Sequence, residues 1–169
     1  MRTLIETTLI DLYNNIKIAF PETQKREYAT DTVVIENVTW VPFLGMKTLF
    51  LKGLARSDDK KYDCIILFKK INYKDSLGKN IIKVKMSNGK EYFIEKMKID
   101  KNDVLIRCNC LDFYYRFNYY NHLDKSLYGR KRTPYYGKNL WKANEKELPG
   151  FCKHIIKFAN ILQKTNIFY

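Results

Sequence analysis

Apolar residues recur at helical spacing near the start of this 169-residue chain. The members of this stripe are Ile5, Leu9, Leu12 and Ile16. Polar residues separate them, so the pattern predicts an amphipathic helix over residues 3–18. We expect the helix to end before Pro21, because proline cannot continue a helix. The opposite face is not strongly basic, so the stripe should face the core or a partner rather than a membrane.

From about residue 29 the pattern changes to short runs rich in β-branched and aromatic residues. These runs predict strands at 32–40, 47–55, 62–71, 81–86, 90–99 and 104–108. Residues 57–61 are typical of a hairpin loop, and Ser87-Asn88-Gly89 is a second hairpin signal, because Asn and Gly tolerate positive φ.

Helical spacing returns after Pro149-Gly150 and predicts a second long helix over residues 151–163. We therefore expect an α+β fold with an N-terminal helix, an antiparallel sheet over about residues 30–108 and a C-terminal helix on that sheet. Residues 1–107 would carry the first helix and the sheet, and residues 108–169 the remainder. The length suits one compact domain.

Composition restricts the environment in which we expect this chain to act. Residues 1–20 mix charged with apolar residues and lack a small-residue cleavage site, so they do not resemble a signal peptide. No apolar run approaches the roughly 18 residues of a membrane span. We expect a soluble, intracellular protein that is neither secreted nor bound to a membrane.

The net charge of +13 favours an anionic partner, either nucleic acid or the acidic face of another protein. An AT-rich genome would inflate the lysine count equally well without any binding role. A row of lysines along the second hairpin is open to the same two interpretations. Its members are Lys83, Lys85, Lys90, Lys96 and Lys98.

The candidate chemistry lies in two short pairs, Cys108-x-Cys110 and Cys152-x-His154, with 41 residues between them. Disulfides do not persist in a reducing compartment, so paired cysteines are better explained as thiolate ligands. Three thiolates and one imidazole are what a closed tetrahedral zinc site needs. We predict one structural Zn²⁺, held between the end of a strand and the N-terminus of the last helix.

Three other interpretations of the cysteine and histidine residues have less support from the sequence. Cys152 and His154 could form a nucleophile and its base, but a zinc site would occupy both residues. His122 could replace a ligand, yet it is not part of a chelating pair. Cys64 is most simply a small buried hydrophobic residue, because free cysteine is among the most buried residue types. We therefore expect no enzymatic activity.

Aromatic and basic residues are dense between the two pairs. They could anchor a protein interface, pack around the zinc site as a local core, or stack on bases and neutralise phosphates. The candidate partner-binding residues are Tyr115, Arg116, Tyr119, Tyr120, Tyr128, Arg130, Lys131, Arg132, Tyr135 and Tyr136.

The order Cys-x-Cys then Cys-x-His, with a strand before it and a helix carrying the second pair, resembles the SWIM-type zinc-binding motif. The resemblance implies that Cys108, Cys110, Cys152 and His154 are the four metal ligands. It does not by itself imply a function.

A narrower resemblance covers residues 28–162. Residues 110–117 (Cys-Leu-Asp-Phe-Tyr-Tyr-Arg-Phe) and 148–155 (Leu-Pro-Gly-Phe-Cys-Lys-His-Ile), with the strands at 41–43 and 53–68, are similar to a recurrent group of small tailed-bacteriophage proteins, crAss-like phages among them. The resemblance implies a structural or assembly role in the virion, in multiple copies and in contact with other virion proteins. A nucleic-acid-binding zinc protein, acting on DNA in packaging, ejection or regulation, is the alternative.

Overall fold

A computed structural model describes residues 6–22, 29–132 and 143–169 of the chain. The strands are β1 (Val33–Phe43), β2 (Thr48–Ser57), β3 (Lys60–Phe68), β4 (Tyr73–Lys74), β5 (Ile81–Lys85), β6 (Glu91–Glu95) and β7 (Val104–Cys108). The helices are α1 (Leu9–Ala19), α2 (Leu111–Arg116), α3 (Asn118–Leu123) and α4 (Lys153–Gln163). The predicted α+β class, with a helix at each end of antiparallel strands, is confirmed.

The strands form two sheets rather than the single sheet that we expected over residues 30–108. Four of them make an antiparallel sheet in the order β1-β2-β3-β7. The other three make a smaller sheet in the order β4-β6-β5. The segment between β3 and β7 therefore folds as its own hairpin and adds a third short strand, β4, which the sequence pattern did not predict.

Tight turns set the register of both hairpins. Only Asp58 and Asp59 separate β2 from β3, and Asp58 takes a positive φ of 54°. In the smaller sheet Gly89 adopts a φ of 80°, which is why glycine suits that position of the turn between β5 and β6. The loop expected at residues 57–61 is thus shorter than predicted.

The helix α1 begins at a capping box that we did not anticipate. The Thr8 hydroxyl accepts a hydrogen bond from the Asp11 backbone N–H at 3.3 Å, and the Asp11 carboxylate accepts one from the Thr8 backbone N–H at 2.9 Å. These bonds satisfy two backbone donors at the helix N-terminus. Within the described part of the predicted stripe, Leu9, Leu12 and Ile16 are buried, while Ile5 lies outside the described residues.

Helix α4 packs on one face of the four-stranded sheet and supplies much of the core. Its apolar residues follow the helical period predicted from the sequence, and four that share this period are buried. They are Ile155, Phe158, Ala159 and Leu162. Gly53 of β2 lets this helix approach closely, since a Cβ there would lie 3.0 Å from a Phe158 ring carbon. The sheet and α4 thereby fix where the N-terminus of α4 lies.

Candidate metal centre

Cys108 is the last residue of β7 and points to the same sheet face as the buried Ile106. It pairs in register with Cys64 of β3, and the two sulfur atoms lie 3.8 Å apart. The next residue, Asn109, ends the ladder by accepting a hydrogen bond from the Asp63 backbone N–H through its side chain. The chain turns there and leaves the sheet.

Cys110 begins a helix that the sequence pattern did not reveal. It is the N-cap residue of α2, and its sulfur accepts a hydrogen bond from the Phe113 backbone N–H at 3.3 Å. Cys152 is in turn the N-cap residue of α4. The partial positive charge at a helix N-terminus favours a thiolate over a thiol, so both helices stabilise the charged form of these cysteines.

His154 lies in the first turn of α4 and completes the group. Its Nδ1 atom is 3.8 Å from the Cys152 sulfur and 3.9 Å from the Cys108 sulfur. The Tyr62 ring packs against the imidazole with its centroid 4.5 Å away. The other nitrogen, Nε2, is buried without a hydrogen-bond partner. The geometry therefore identifies Nδ1 as the nitrogen available to a metal.

The four predicted ligand residues come together at one point, although 41 residues separate the two pairs. The three sulfur atoms and the imidazole nitrogen all lie within 4.8 Å of one another, and all four residues are buried. Tetrahedral zinc bonds of about 2.3 Å to sulfur and 2.1 Å to nitrogen place neighbouring ligand atoms about 3.6–3.8 Å apart. The group could hold one metal ion with only small adjustments.

Without a metal, the three cysteines differ in the direction in which their pKa values are shifted. Hydrogen bonds from Cys108 and then Cys152 hold the pKa of Cys110 far below its usual range. The hydrogen bond to Cys110 raises the pKa of Cys108 well above its usual value, and burial does the same for Cys152. The metal-free group thus favours a negative charge on Cys110 and protons on Cys108 and Cys152, and a metal would have to displace those two protons.

A second set of contacts positions the pair of ligands on α4. The side chain of Asn121, which is fully buried in α3, donates to the Gly150 carbonyl at 2.9 Å and accepts from the Gly150 N–H at 2.8 Å. Asn144 similarly donates to the carbonyls of Arg116 and Leu148. These buried amides tie the segment before Cys152 to the helices after Cys110. No local pattern could have revealed these roles, because Asn121 pairs with Gly150 and Asn144 with Arg116, which are far away along the chain.

The aromatic insert divides between core and surface. Phe113 of α2 and Phe117 are fully buried, so part of the stretch is local core. Tyr115 is exposed, whereas Tyr119, Tyr120 and Tyr128 are half-buried. The remaining members of the predicted partner-binding set are then placed as follows: Arg116 is half-buried, Arg130, Lys131 and Arg132 are exposed, and Tyr135 and Tyr136 lie outside the described residues.

The basic members of that set differ in what they contact. Arg116 forms an ion pair with Asp112 and lies over the Phe20 ring, so it serves the fold of α2. Arg130, Lys131 and Arg132 form no ion pair with any carboxylate in the described part of the chain. The guanidinium of Arg132 lies 5.5 Å from the centroid of the Tyr114 ring. Three adjacent cations are therefore exposed, with no acidic partner in the part of the chain that the structure describes.

In the ranges that the structure describes, no helix has the length and apolar character needed to cross a membrane. The chain matches no protein-family model, no curated protein and no solved structure.

Proposed function

We propose that this protein is a non-enzymatic adaptor whose fold is stapled by one structural Zn²⁺. The observation that carries the proposal is the buried group of Cys108, Cys110, Cys152 and His154. Three soft sulfur ligands and one imidazole, with ligand atoms within 4.8 Å of one another, suit zinc. Because the protein itself supplies all four ligands, no coordination position is left for a water or a substrate, as catalytic zinc requires.

The staple would act at the junction between the four-stranded sheet and two helices. Cys108 ends the edge strand β7, Cys110 starts α2, and Cys152 with His154 starts α4. One ion would thus fix the end of β7 against the N-termini of both helices. Zinc binding contributes about 10–16 kcal/mol to folding in small zinc peptides, so a comparable ion can dominate the stability of residues 108–163.

We further propose that the adaptor is a structural component of a tailed-phage virion, present in multiple copies and bound to other virion proteins. The sequence resemblance over residues 28–162 supports this role, and a rigid domain without an open metal position is compatible with it. The exposed Tyr115 and its neighbours on α2 are the candidate contact surface, because tyrosine is favoured in protein interfaces.

The virion role is tested by quantitative mass spectrometry of purified particles from a phage that encodes the chain. We expect several copies per particle, with chemical crosslinks between the 110–132 segment and other virion proteins. A chain that is abundant in infected cells but missing from particles would contradict the virion role, while the zinc staple would be unaffected.

The alternative function is binding of DNA by the same zinc-stabilised domain. The specific observation in its favour is the run of un-neutralised cations at residues 130–132. A virion protein can contact both protein and DNA, so the two functions are compatible. They differ in their response to salt, since binding to phosphates weakens steeply as salt rises.

A further inference from the structure

The segment 126–132 lies beside the edge strand β7 and is fixed to it by backbone hydrogen bonds. The Ile106 N–H donates to the Ser126 carbonyl at 2.8 Å, and the Tyr128 N–H donates to the Ile106 carbonyl at 3.0 Å. This short parallel pairing covers the otherwise open edge of the sheet. We call residues 126–132 the cationic strap, because it ends in Arg130, Lys131 and Arg132.

Arg107 of β7 holds the strap from the side. One of its guanidinium nitrogens, Nη1, donates to the Tyr128 carbonyl at 2.7 Å and to the Arg130 carbonyl at 2.9 Å. Gly129 lies between these carbonyls with a φ of 78°, and a Cβ at this residue would approach the Arg107 nitrogen to 3.3 Å. The strap is therefore bent around the guanidinium group, and glycine accommodates both the bend and the contact.

The far end of the strap is fixed as well. The Arg132 N–H donates to the side-chain oxygen of Asn118 in α3 at 2.9 Å, and the Arg132 guanidinium lies over the Tyr114 ring. The backbone that carries the three cations is thus anchored at both ends while their side chains remain exposed. Preorganised groups lose less conformational entropy when they bind.

The charges at this site are unbalanced. Arg107 is half-buried, and its hydrogen bonds go to carbonyls rather than to a carboxylate. Burial and then the nearby positive charge of Arg132 lower the pKa of Arg107. This region of the surface carries a concentrated positive charge from four side chains, and none of them has an acidic partner among the described residues. They are Arg107, Arg130, Lys131 and Arg132.

We propose that the cationic strap is a binding site for the phosphodiester backbone of nucleic acid, and that Arg107 is its positioning residue. The side chains of Arg130, Lys131 and Arg132 would contact consecutive phosphates. Because the Tyr114 face is covered by Arg132, no base-stacking platform is available there, and the contact should be independent of sequence. This site rests on the DNA-binding alternative and deepens it, whereas the zinc staple and the virion role do not depend on it.

The test uses the full-length zinc-loaded protein and a 20-base-pair DNA duplex of arbitrary sequence, with fluorescence anisotropy at several salt concentrations. Three phosphate contacts predict a slope of about −3 in a plot of log K against log salt, or a roughly 40-fold loss of affinity between 50 and 200 mM. The triple change Arg130→Ala, Lys131→Ala, Arg132→Ala should weaken binding at least tenfold and remove most of the slope.

A matched control makes the same change of net charge outside the cationic strap. Lys74→Ala, Lys79→Ala and Lys101→Ala remove three exposed lysines from the smaller sheet and the loops that flank it, none of them in the lysine row of the second hairpin, and should leave affinity and slope nearly unchanged. Equal losses from both triple variants, or no binding by the parent protein, would overturn the proposal. Arg107→Lys keeps the net charge, so weaker binding at an unchanged slope is expected if Arg107 positions the strap.

A second probe separates nucleic acid from acidic protein. Poly-L-glutamate with the same number of charges as the duplex should compete poorly, because carboxylates do not reproduce the spacing and charge density of phosphates. Competition by poly-L-glutamate as strong as that by unlabelled duplex would assign the strap to an acidic protein partner and overturn the proposal. Retained zinc in every variant shows that the staple is intact, so failure of one hypothesis is distinguishable from failure of the other.

Discussion

Cys110 and Cys152 occupy the same position in two different helices, since each is the N-cap residue with extended backbone angles. Their φ and ψ values are −75° and 157° for Cys110, and −82° and 171° for Cys152. The N-termini of α2 and α4 meet at one place, and their partial positive charges reduce the cost of the negative charge that metal-bound thiolates would carry there. This convergence explains how two short sequence pairs build one compact group of ligands.

Loss of a single ligand should release the metal. We expect Cys108→Ser and His154→Ala to lose bound zinc and to expose residues 108–160 to proteolysis, because an incomplete ligand set leaves the two helices unfixed. Zinc content and limited proteolysis of the purified variants provide the measurement. A zinc stoichiometry like that of the parent protein, together with an unchanged digestion pattern, would contradict the hypothesis of a zinc staple.

The matched control for those variants is Cys64→Ala. Cys64 is as buried as the ligands and contacts the Cys108 sulfur, but it is not part of the group of four. We expect this variant to keep its zinc and to lose only about 1 kcal/mol of stability, as for a small deletion in a packed core. Loss of zinc from Cys64→Ala would instead show that this fourth cysteine is a ligand.

Metal affinity should rise with pH. The pKa values of Cys108 and Cys152 are raised in the metal-free group, so both are protonated thiols at neutral pH and must lose their protons on binding. Cys110 has a lowered pKa, is already a thiolate, and contributes no proton. About two protons should be released per metal bound, and acidification should favour the metal-free state.

Calorimetric titration of metal-free protein with Zn²⁺ in buffers of different ionisation enthalpy measures that proton release. A binding enthalpy that is the same in every buffer would mean that no protons are displaced, contrary to the proton distribution described above.

The buried side-chain amide of Asn121 should make a large contribution to the free energy of unfolding for a single side chain. Asn121→Ala would leave the Gly150 N–H and carbonyl buried without partners, at about 1–3 kcal/mol for each group. We expect a loss of about 2–4 kcal/mol in the free energy of unfolding, with weaker zinc binding because Cys152 lies two residues away. Asn160→Ala, the same change at an exposed position of α4, should stay within about 0.5 kcal/mol of the parent in urea unfolding.

Glycine is required at position 150 because there is no space for a side chain, and not because of its backbone conformation. A Cβ there would lie 2.9 Å from Cγ1 of Ile16 and 3.0 Å from Cε1 of Phe117. Gly150→Ala should therefore destabilise the protein by about 1–3 kcal/mol through overpacking. Gly45→Ala meets no atom within 4 Å and should be neutral or slightly stabilising. Equal thermal stability of the two variants would contradict this account of the junction.

Periodicity was sufficient to predict the two long helices and the strands of the larger sheet. Leu12 and Ile155 are representative, since each belongs to a regular apolar stripe and each is fully buried. The metal-ligand pairs could also be found from sequence, because chelating spacing is a local property. In the structure these pairs lie together.

Other features depend on contacts that no local pattern encodes. The helices α2 and α3 have six residues each, which is too short to show a helical period among so many aromatic residues. The division into two sheets follows from pairings such as Ile82 with Ile94 rather than with the larger sheet. The roles of Asn121 and Arg107 arise from distant backbone carbonyls. These side chains could be identified only after the fold was known.

The central claim is that one zinc ion joins β7 to the two helices, and metal analysis of the protein purified without chelators tests it most directly. Inductively coupled plasma mass spectrometry, combined with amino-acid analysis for the protein concentration, gives the number of metal atoms per chain. We predict about one zinc per chain, which is lost together with the protease resistance of residues 108–160 when a chelator is added. A folded protein without metal, whose cysteines all react freely as thiols, would contradict the claim.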